Sequence, residues 1–334
     1  MRKLFVLLLV PILGLITGCA PSKPATLTVY TYSSFPTSLV KQIQKDFKTN
    51  YKTDVVVKTF GDTGPIFNRL VQEKRHPKAD VVIGLDSNYA FRAKKAGLFQ
   101  AYKPKQAANL RHDVVFDPQF YLTPYDYGYI VFNYDSKNVK RVPTSHKDLL
   151  SPIYKDQIVV ENPTTSSPGQ IFLLTTIALY GEKGYLDYWK GLKKNGLFIA
   201  PGWDEAYGMY TNGERSIVLS YATSPVYHLL YEKTERYKAV ILDGAAYAQI
   251  EGVGVVKDTP HLQLAQKLVD YMLSKTFQEK LPETQFMYPA LQSAKLPPSY
   301  RVAPKTDRLL NLPAKRVADN LERWLGDWEK AMNE

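Results

Sequence analysis

Short apolar segments alternate with amphipathic segments along the N-terminal part of the chain. Three of them have the β-branched and apolar content of strands: residues 27–32, 54–58 and 79–84. Three others place apolar side chains at helical spacing: residues 38–48, 66–74 and 89–96. Gly97 follows the last of these as a helix-ending glycine. The order strand-helix, repeated three times, predicts an α/β fold with a parallel sheet covered by helices on both faces.

The pattern changes near residue 124, where a long extended segment begins. A second extended segment covers residues 248–256, and a further set of strands and helices lies between the two: residues 147–150, 157–160, 185–193 and 216–221, with helices starting at 169 and 204. We interpret the two extended segments as hinge strands between two lobes. The first lobe would comprise residues 26–124 plus 250–290, and the second residues 125–249.

Residues 291–334 are predicted to form a C-terminal helical segment that packs on the lobes. A helix is expected at residues 261–273, and the last one at residues 314–332. Trp324 and Trp328 are four residues apart in this last helix, so they share one face. We expect this pair to pack against a lobe and not to contact a ligand.

Residues 1–18 have the pattern of a signal peptide, with Arg2 and Lys3 ahead of an apolar run. The run is shorter than the roughly 20 apolar residues of a spanning helix. It ends in Ile-Thr-Gly-Cys, which resembles a bacterial lipobox, where the Cys is diacylated and becomes the new N-terminus. We therefore predict lipid attachment at Cys19, with residues 19–25 as a tether, at the outer face of the cell membrane or in the periplasm.

The amino-acid composition excludes some classes of function and favours others. Cys19 is the only cysteine, which excludes an intramolecular disulfide and any cysteine-based catalysis or metal ligation in the folded part. The net charge is +11, but the basic residues are dispersed and the chain is expected to be exported, so no nucleic-acid partner is predicted. The 24 tyrosines are unusual and favour a site that stacks on its ligand.

No enzyme motif is found in the sequence. It has no Walker loop, no Gly-x-Ser-x-Gly elbow and no His-Glu-x-x-His, and its five histidines lie in unrelated segments. We expect no catalytic residue, no metal site and no cofactor.

Polar and aromatic side chains instead follow the predicted strands, where open α/β sheets bind ligands. Tyr32 closes the first strand, Asp62 and Thr63 precede the second helix, and Asp86 follows the third strand. A polar residue at such a place is commonly a turn residue or a helix cap. Three such clusters at equivalent places in the sheet favour a cleft.

The second half of the chain adds hydroxyl and aromatic groups in comparable loops. Ser166 lies in a Thr/Ser-rich turn before a helix, whose N–H groups could hold a phosphate or a hydroxyl or could simply form a cap. Trp203 opens another helix, and Tyr221 and Tyr227 follow a strand. Flat aromatic side chains in these loops suit a flat or cationic ligand.

Several of these segments, in order and spacing, resemble the bacterial periplasmic thiamine-binding proteins. They are Val-Tyr-Thr-Tyr at 29–32, Asp-Val-Val-Ile-Gly-Leu-Asp-Ser-Asn at 80–88, Asp-Tyr-Gly-Tyr at 126–129, Thr-Ser-Ser-Pro-Gly at 165–169, Gly-Trp-Asp-Glu-Ala-Tyr-Gly at 202–208, Leu-Ser-Tyr-Ala-Thr-Ser-Pro-Val-Tyr-His at 219–228 and Met-Tyr-Pro at 287–289. The 202–208 and 219–228 segments are specific, whereas the 126–129 segment is shared more widely among solute-binding proteins.

The resemblance implies a two-lobe, type II periplasmic-binding-protein-like fold with thiamine or a thiamine phosphate in the cleft. It also implies delivery to an ABC permease and ATPase complex, with the protein acting as a monomer. Carried over by position, the walls would be Tyr32, Trp203, Tyr221 and Tyr227, and the polar partners Asp62, Thr63 and Ser166. Phe286 stands where the family has a Trp before Met-Tyr-Pro, and an early family Trp has no counterpart near Phe35-Pro36.

Other functions remain open on the sequence. A ferric-ion-binding protein of the same fold often uses two adjacent tyrosines, and this chain has no Tyr-Tyr pair. A polyamine-binding protein would need several carboxylates in the cleft, for which Asp62, Asp86 and Glu205 are the candidates. An exported thiamine-degrading enzyme would need a nucleophile, which is Cys in the relatives of this fold.

Overall fold

The computed structural model describes residues 25–334, so the predicted signal peptide, Cys19 and nearly all of the tether lie outside the described residues. The strands, in chain order, are β1 (Thr26–Thr31), β2 (Asp54–Thr59), β3 (Val81–Asp86), β4 (Phe99–Gln100), β5 (Thr123–Asp135), β6 (Ile158–Glu161), β7 (Phe198–Ala200), β8 (Ile217–Tyr221), β9 (Tyr237–Val240), β10 (Ala246–Val256), β11 (Tyr288–Pro289) and β12 (Leu309–Leu310). The helices are α1 (Thr37–Tyr51), α2 (Thr63–Glu73), α3 (Ser87–Lys95), α4 (Ser167–Lys194), α5 (Trp203–Thr211), α6 (Ser224–Tyr227), α7 (Leu262–Met272), α8 (Lys275–Gln278), α9 (Leu281–Thr284) and α10 (Ala314–Asn333).

One sheet runs through the molecule in the order β2-β1-β3-β10-β5-β8-β6-β7. The strands β2, β1 and β3 are parallel, as predicted, and so are β8, β6 and β7. Between these two parallel sets lie the long strands β5 and β10, which pair antiparallel with each other and with their outer neighbours β8 and β3. The two extended segments of the sequence are therefore the strands that join the two halves of the sheet, here called the first lobe (around β1–β3) and the second lobe (around β6–β8).

Each half of the sheet has its own hydrophobic core. Leu27, Phe47 and Leu268 pack under the first lobe, and Phe172 and Trp189 pack under the second. Trp324 and Trp328 of α10 join the second core, and the rings of Trp189 and Trp328 meet edge to face with centroids 5.4 Å apart. The predicted packing role of the Trp pair is thus confirmed.

Several helices differ in detail from the sequence prediction. α2 begins three residues early because the Asp62 carboxylate accepts the N–H of Thr63 and caps the helix. The two helices predicted near 169 and 185–193 follow each other without a loop in α4, which is kinked at Gly181, where φ is +68°. None of the helices in residues 25–334 combines the length and the apolar character that crossing a bilayer requires.

Candidate ligand-binding cleft

A cleft of about 460 Å³ opens where the two lobes face each other. This volume falls within the range of roughly 300–1,000 Å³ that is usual for small-molecule sites. Seven of the nine ligand-binding residues predicted from sequence line it: Tyr32, Asp62, Thr63, Trp203, Tyr221, Tyr227 and Phe286. The fold therefore brings together residues that are separated by more than two hundred positions in the chain.

Trp203 is held as a wall of the cleft by contacts on the side of the second lobe. Its ring stacks on Tyr207, with centroids 4.6 Å apart and planes 17° from parallel. Its indole N–H donates to Ser220 Oγ over 2.9 Å. Since both the ring plane and the N–H are fixed, the indole has little rotational freedom to lose when a ligand stacks on it.

Tyr32 and Tyr221 each rest on a glycine that leaves room for the ring. A Cβ on Gly84 would lie 2.2 Å from Tyr32 Cε1, and Gly84 also has a left-handed φ of +96°. A Cβ on Gly128 would lie 2.7 Å from Tyr221 Cδ1. Glycine at both positions therefore allows the two rings to lie where they do, because a Cβ would displace them.

Tyr227 and Phe286 form the more exposed edge of the cleft. Their rings meet edge to face with centroids 5.5 Å apart, and Tyr227 keeps 39% of its surface exposed. Phe286 has a left-handed φ of +59°, which is uncommon for an aromatic residue and is retained mainly where the surroundings impose it. The backbone of this turn thus presents the Phe286 ring to the cleft.

Asp62 and Thr63 connect the two lobes at the rim of the cleft. Ser167 Oγ of the second lobe donates to Thr63 Oγ1 over 2.8 Å, and the Gly64 N–H donates to the Thr165 carbonyl over 3.1 Å. The N–H groups of Thr63 and Trp203 both point at the Asp62 carboxylate. In this conformation the N-termini of α2 and α4 are therefore in contact, and the cleft is closed on that side.

Asp86 and Ser166 are placed differently from the other predicted residues. Both side chains are fully buried and neither lines the cleft. Asp86 Oδ1 accepts the N–H groups of Asn88 and Tyr89, so this carboxylate caps α3, and burial raises its pKa to about 6. Ser166 is the residue before α4, and its hydroxyl has no hydrogen-bond partner among the described residues. Direct contact of either side chain with a ligand is not supported in this conformation.

The floor of the cleft contains polar residues that sequence reasoning missed. Gln249 and Glu251 on β10 and Gln285 before Phe286 all line it. The hydroxyls of Tyr32 and Tyr125 donate to Glu251 Oε2, over 2.9 Å and 2.5 Å. The sequence did contain a signal for this part of the site. Gln249 and Glu251 are polar residues in an otherwise apolar segment, and they share one face because alternate residues of a strand do so.

The electrostatic character of the cleft is negative. Asp62, Asp204, Glu232 and Glu251 line it, and its lining in residues 25–334 includes no lysine, arginine or histidine. Burial raises the pKa of Glu251 to about 7, against the lowering effect of the Tyr125 and Tyr32 hydrogen bonds. A flat cation would gain both stacking on the aromatic walls and attraction to these carboxylates.

Metal-ion binding has no comparable support. Within the described part of the chain, no group of three or more His, Cys, Asp or Glu side chains is arranged to hold a metal ion.

Comparisons with known proteins agree with this geometry. Residues 76–308 match the family model of the bacterial extracellular solute-binding proteins. The chain is 35% identical over 323 residues to the thiamine-binding periplasmic protein of Brucella suis biovar 1 (strain 1330), covering 94% of each. It is 34% identical over 332 residues to that of Escherichia coli (strain K12), covering 97% of this chain and 98% of the relative. A solved structure of a periplasmic thiamin binding protein superposes with a TM-score of 0.86 at 32% identity, over 94% of this chain and 98% of that one.

Proposed function

Because the chain belongs to the bacterial extracellular solute-binding proteins, we propose that it is the exported binding component of an ABC importer and that its ligand is thiamine or a thiamine phosphate. The observation that carries the proposal is the cleft itself, which has aromatic walls, several carboxylates and no basic side chain in its described lining. Thiamine joins a thiazolium cation to an aminopyrimidine, so it is flat, aromatic and positively charged.

The proposed contacts follow from where each side chain lies. Trp203, Tyr32, Tyr221, Tyr227 and Phe286 stack on the two rings. The Asp62 and Glu251 carboxylates compensate the positive charge of the ligand. This compensation has to be local, because a protein with a net charge of +11 does not attract a cation at long range. Thr63 and Pro168 line the cleft where α2 and α4 meet, and we place the hydroxyethyl or phosphate end of the ligand beside them.

Closure around the ligand would prepare the protein for delivery. The hydrogen bonds between α2 and α4 cross the cleft, so their formation depends on the position of the lobes. We propose that a membrane permease and its ATPase recognise the closed form, and that the protein binds and releases its ligand unchanged and not as an enzyme. The lobes of this binding unit are proposed to be residues 26–124 plus 250–290 and residues 125–249.

Isothermal titration calorimetry of the purified protein with thiamine, thiamine monophosphate, Fe(III) and spermidine tests the proposal. Saturable 1:1 binding of a thiamine compound, with recovery of intact ligand afterwards, is the expected result. Binding of Fe(III) or spermidine in preference to thiamine would overturn it. Loss of intact thiamine during incubation would instead indicate a thiamine-degrading enzyme.

A further inference from the structure

Three carboxylates lie side by side across β3 of the first lobe and across β10 and β5, the two strands that join the lobes. In the sheet register, Glu251 on β10 is directly opposite Asp86 on β3 and Asp126 on β5. Residues directly opposite each other in antiparallel strands point to the same face. We call Asp86, Glu251 and Asp126 the acidic row. Asp86 and Asp126 are completely buried, and Glu251 is 4% exposed and lines the cleft.

The groups that surround the acidic row are neutral or acidic. Glu251 accepts hydrogen bonds from Tyr32, the residue after β1, from Tyr125 of β5 and from the Gln249 amide of its own strand. The Gln285 amide bridges the row, lying 2.7 Å from Asp126 Oδ2 and 3.2 Å from Glu251 Oε2. The other titratable groups that interact with it include Asp62 of the rim and the Tyr221 hydroxyl of β8. Tyr89 and Tyr247 interact with Asp86, and Tyr300 interacts with Asp126.

Several oxygen atoms of this region have no donor to bind. Asp126 Oδ1, Asp86 Oδ2 and Gln249 Oε1 are buried and have no hydrogen-bond partner among the described residues. Gln249 is only 2% exposed and lines the cleft, so a buried acceptor without a donor belongs to a residue that borders the space for a ligand. The floor is therefore short of hydrogen-bond donors and of positive charge.

Adjacent buried carboxylates cannot all be ionised without a large cost, because desolvation and mutual repulsion both disfavour the charged forms. The pKa of Asp126 is raised well above its usual value by burial and by the Glu251 charge, and burial raises that of Glu251 to about 7. The row thus retains protons near neutral pH. A cation placed on the floor would supply the charge that is missing and would favour ionised Glu251.

We propose that the acidic row holds a proton while the cleft is empty and releases it to solvent when a cationic ligand reaches the floor. Capture of the ligand is then an exchange of one positive charge for another, with Glu251 as the exchanging group and Asp126 and Gln285 as positioning residues. Because the ligand in question is the cation of the proposed function, this inference rests on that function.

The experiment is calorimetric titration of the purified protein with thiamine in two buffers of different ionisation enthalpy, phosphate and imidazole. At about pH 6.5, which is above the titration of the aminopyrimidine, we expect release of about 0.5–0.8 proton per thiamine bound. Affinity should rise with pH up to about 7, by up to about tenfold per unit, and then level off, because the proton competes with the cation for the same carboxylate.

Glu251→Gln is the decisive variant, since it keeps the shape of the side chain and removes the titration. It should bind thiamine more weakly and with no proton release. Glu73→Gln is the matched control, because Glu73 is also a buried carboxylate that accepts a tyrosine hydroxyl, but it lies outside the cleft lining. That variant should release protons as the unmodified protein does.

The outcomes separate the two proposals. Tight thiamine binding without buffer-dependent heat, or unchanged release in Glu251→Gln, would overturn the exchange and leave the proposed function intact. Absence of thiamine binding in the unmodified protein would overturn both. If Glu251→Gln does not fold, titration of the ¹³C carboxyl resonances of the ligand-free protein decides, because a Glu251 resonance titrating near pH 4.5 would exclude the retained proton.

Discussion

The backbone N–H of Trp203 donates to Asp62 Oδ2 over 3.4 Å, and this hydrogen bond joins the two lobes across the cleft. The same carboxylate caps α2 through the N–H of Thr63, at 2.7 Å. Asp62 therefore stabilises a helix, bridges the lobes and supplies negative charge at the rim, and these roles can be separated by substitution.

Asp62→Asn should retain the helix cap, since asparagine caps as well as aspartate, but lose the charge. We expect an unchanged melting temperature and thiamine binding weakened on the order of tenfold, or about 1.4 kcal/mol. Asp62→Ala should lose the cap as well, costing about 1 kcal/mol of the free energy of unfolding. Calorimetry and thermal denaturation measure the two effects, and equal affinity in Asp62→Asn and the unmodified protein would show that the charge does not act on the ligand.

Trp203→Ala should weaken thiamine binding by tenfold or more, because stacking on a desolvated cation contributes on the order of 2 kcal/mol. Phe91→Ala is the matched control, as Phe91 is an aromatic side chain on α3 that is 49% exposed and outside the cleft lining. Fluorescence or calorimetric titration of both variants gives the comparison. A folded Trp203→Ala protein with full affinity would assign Trp203 to packing against Tyr207 alone.

Gly128→Ala should lower affinity without removing any group that touches the ligand. The added methyl would lie 2.7 Å from Tyr221 Cδ1 and 3.0 Å from Met287 Sδ, so these two side chains, both of which line the cleft, have to shift. Overpacking of this kind costs about 1–3 kcal/mol of stability. Gly326→Ala adds the same methyl on α10, where nothing lies within 4 Å. This control should not destabilise the protein by overpacking, and its affinity for thiamine should be unchanged. Titration with thiamine distinguishes them, and unchanged affinity in Gly128→Ala would mean that Tyr221 is not a wall.

The aromatic walls could be predicted from sequence because they follow a simple rule. Trp203 opens α5, and Tyr227 ends the short helix α6 that follows β8. Segments that follow the carboxyl ends of strands converge on one cleft. The hinge strands were equally visible as long extended segments, confirmed as β5 and β10. The strands with which they pair could not be predicted from the sequence, because strand register depends on contacts between residues far apart in the chain.

The same rule also selected two residues, Asp86 and Ser166, whose side chains lie outside the lining of the cleft. Asp86 is the last residue of β3, and its carboxylate caps α3. Ser166 is buried beside the start of α4, and its hydroxyl has no hydrogen-bond partner among the described residues. Strand ends attract caps and ligand contacts alike, and sequence does not show which way the side chain points. Glu251 was missed for the opposite reason, since it lies in the middle of a strand and becomes part of the floor only when β10 crosses between the lobes.

Cys19→Ala tests the anchor that the lipobox-like sequence predicts. We expect the variant to be released in soluble form or to remain unprocessed, because diacylation needs the thiol. Fractionation of cells, followed by mass determination of the mature protein, measures this. A Cys19→Ala protein of mature length that still sediments with membranes would contradict lipid attachment at Cys19.

The acidic row should also make the free energy of unfolding of the ligand-free protein depend on pH. The pKa of Glu251 is raised from 4.5 to about 7 on folding, so between these values the folded state binds more protons than the unfolded chain. The contribution of Glu251 to the free energy of unfolding therefore falls as pH rises through this window, by on the order of 1–3 kcal/mol, and is constant above it. Glu251→Gln removes the term, so the variant should gain stability relative to the unmodified protein as pH rises from about 4.5 to about 7.

Urea unfolding of both proteins across this pH range gives the difference curve. The comparison has to be a difference because His146 and His228, whose pKa values are lowered by burial, contribute stability that rises with pH in the same window. Their contribution is common to both proteins and cancels. A difference that does not depend on pH would show that Glu251 is already ionised in the empty cleft. In that case the cation would meet a charged floor on arrival, and its affinity would be independent of pH over the same range.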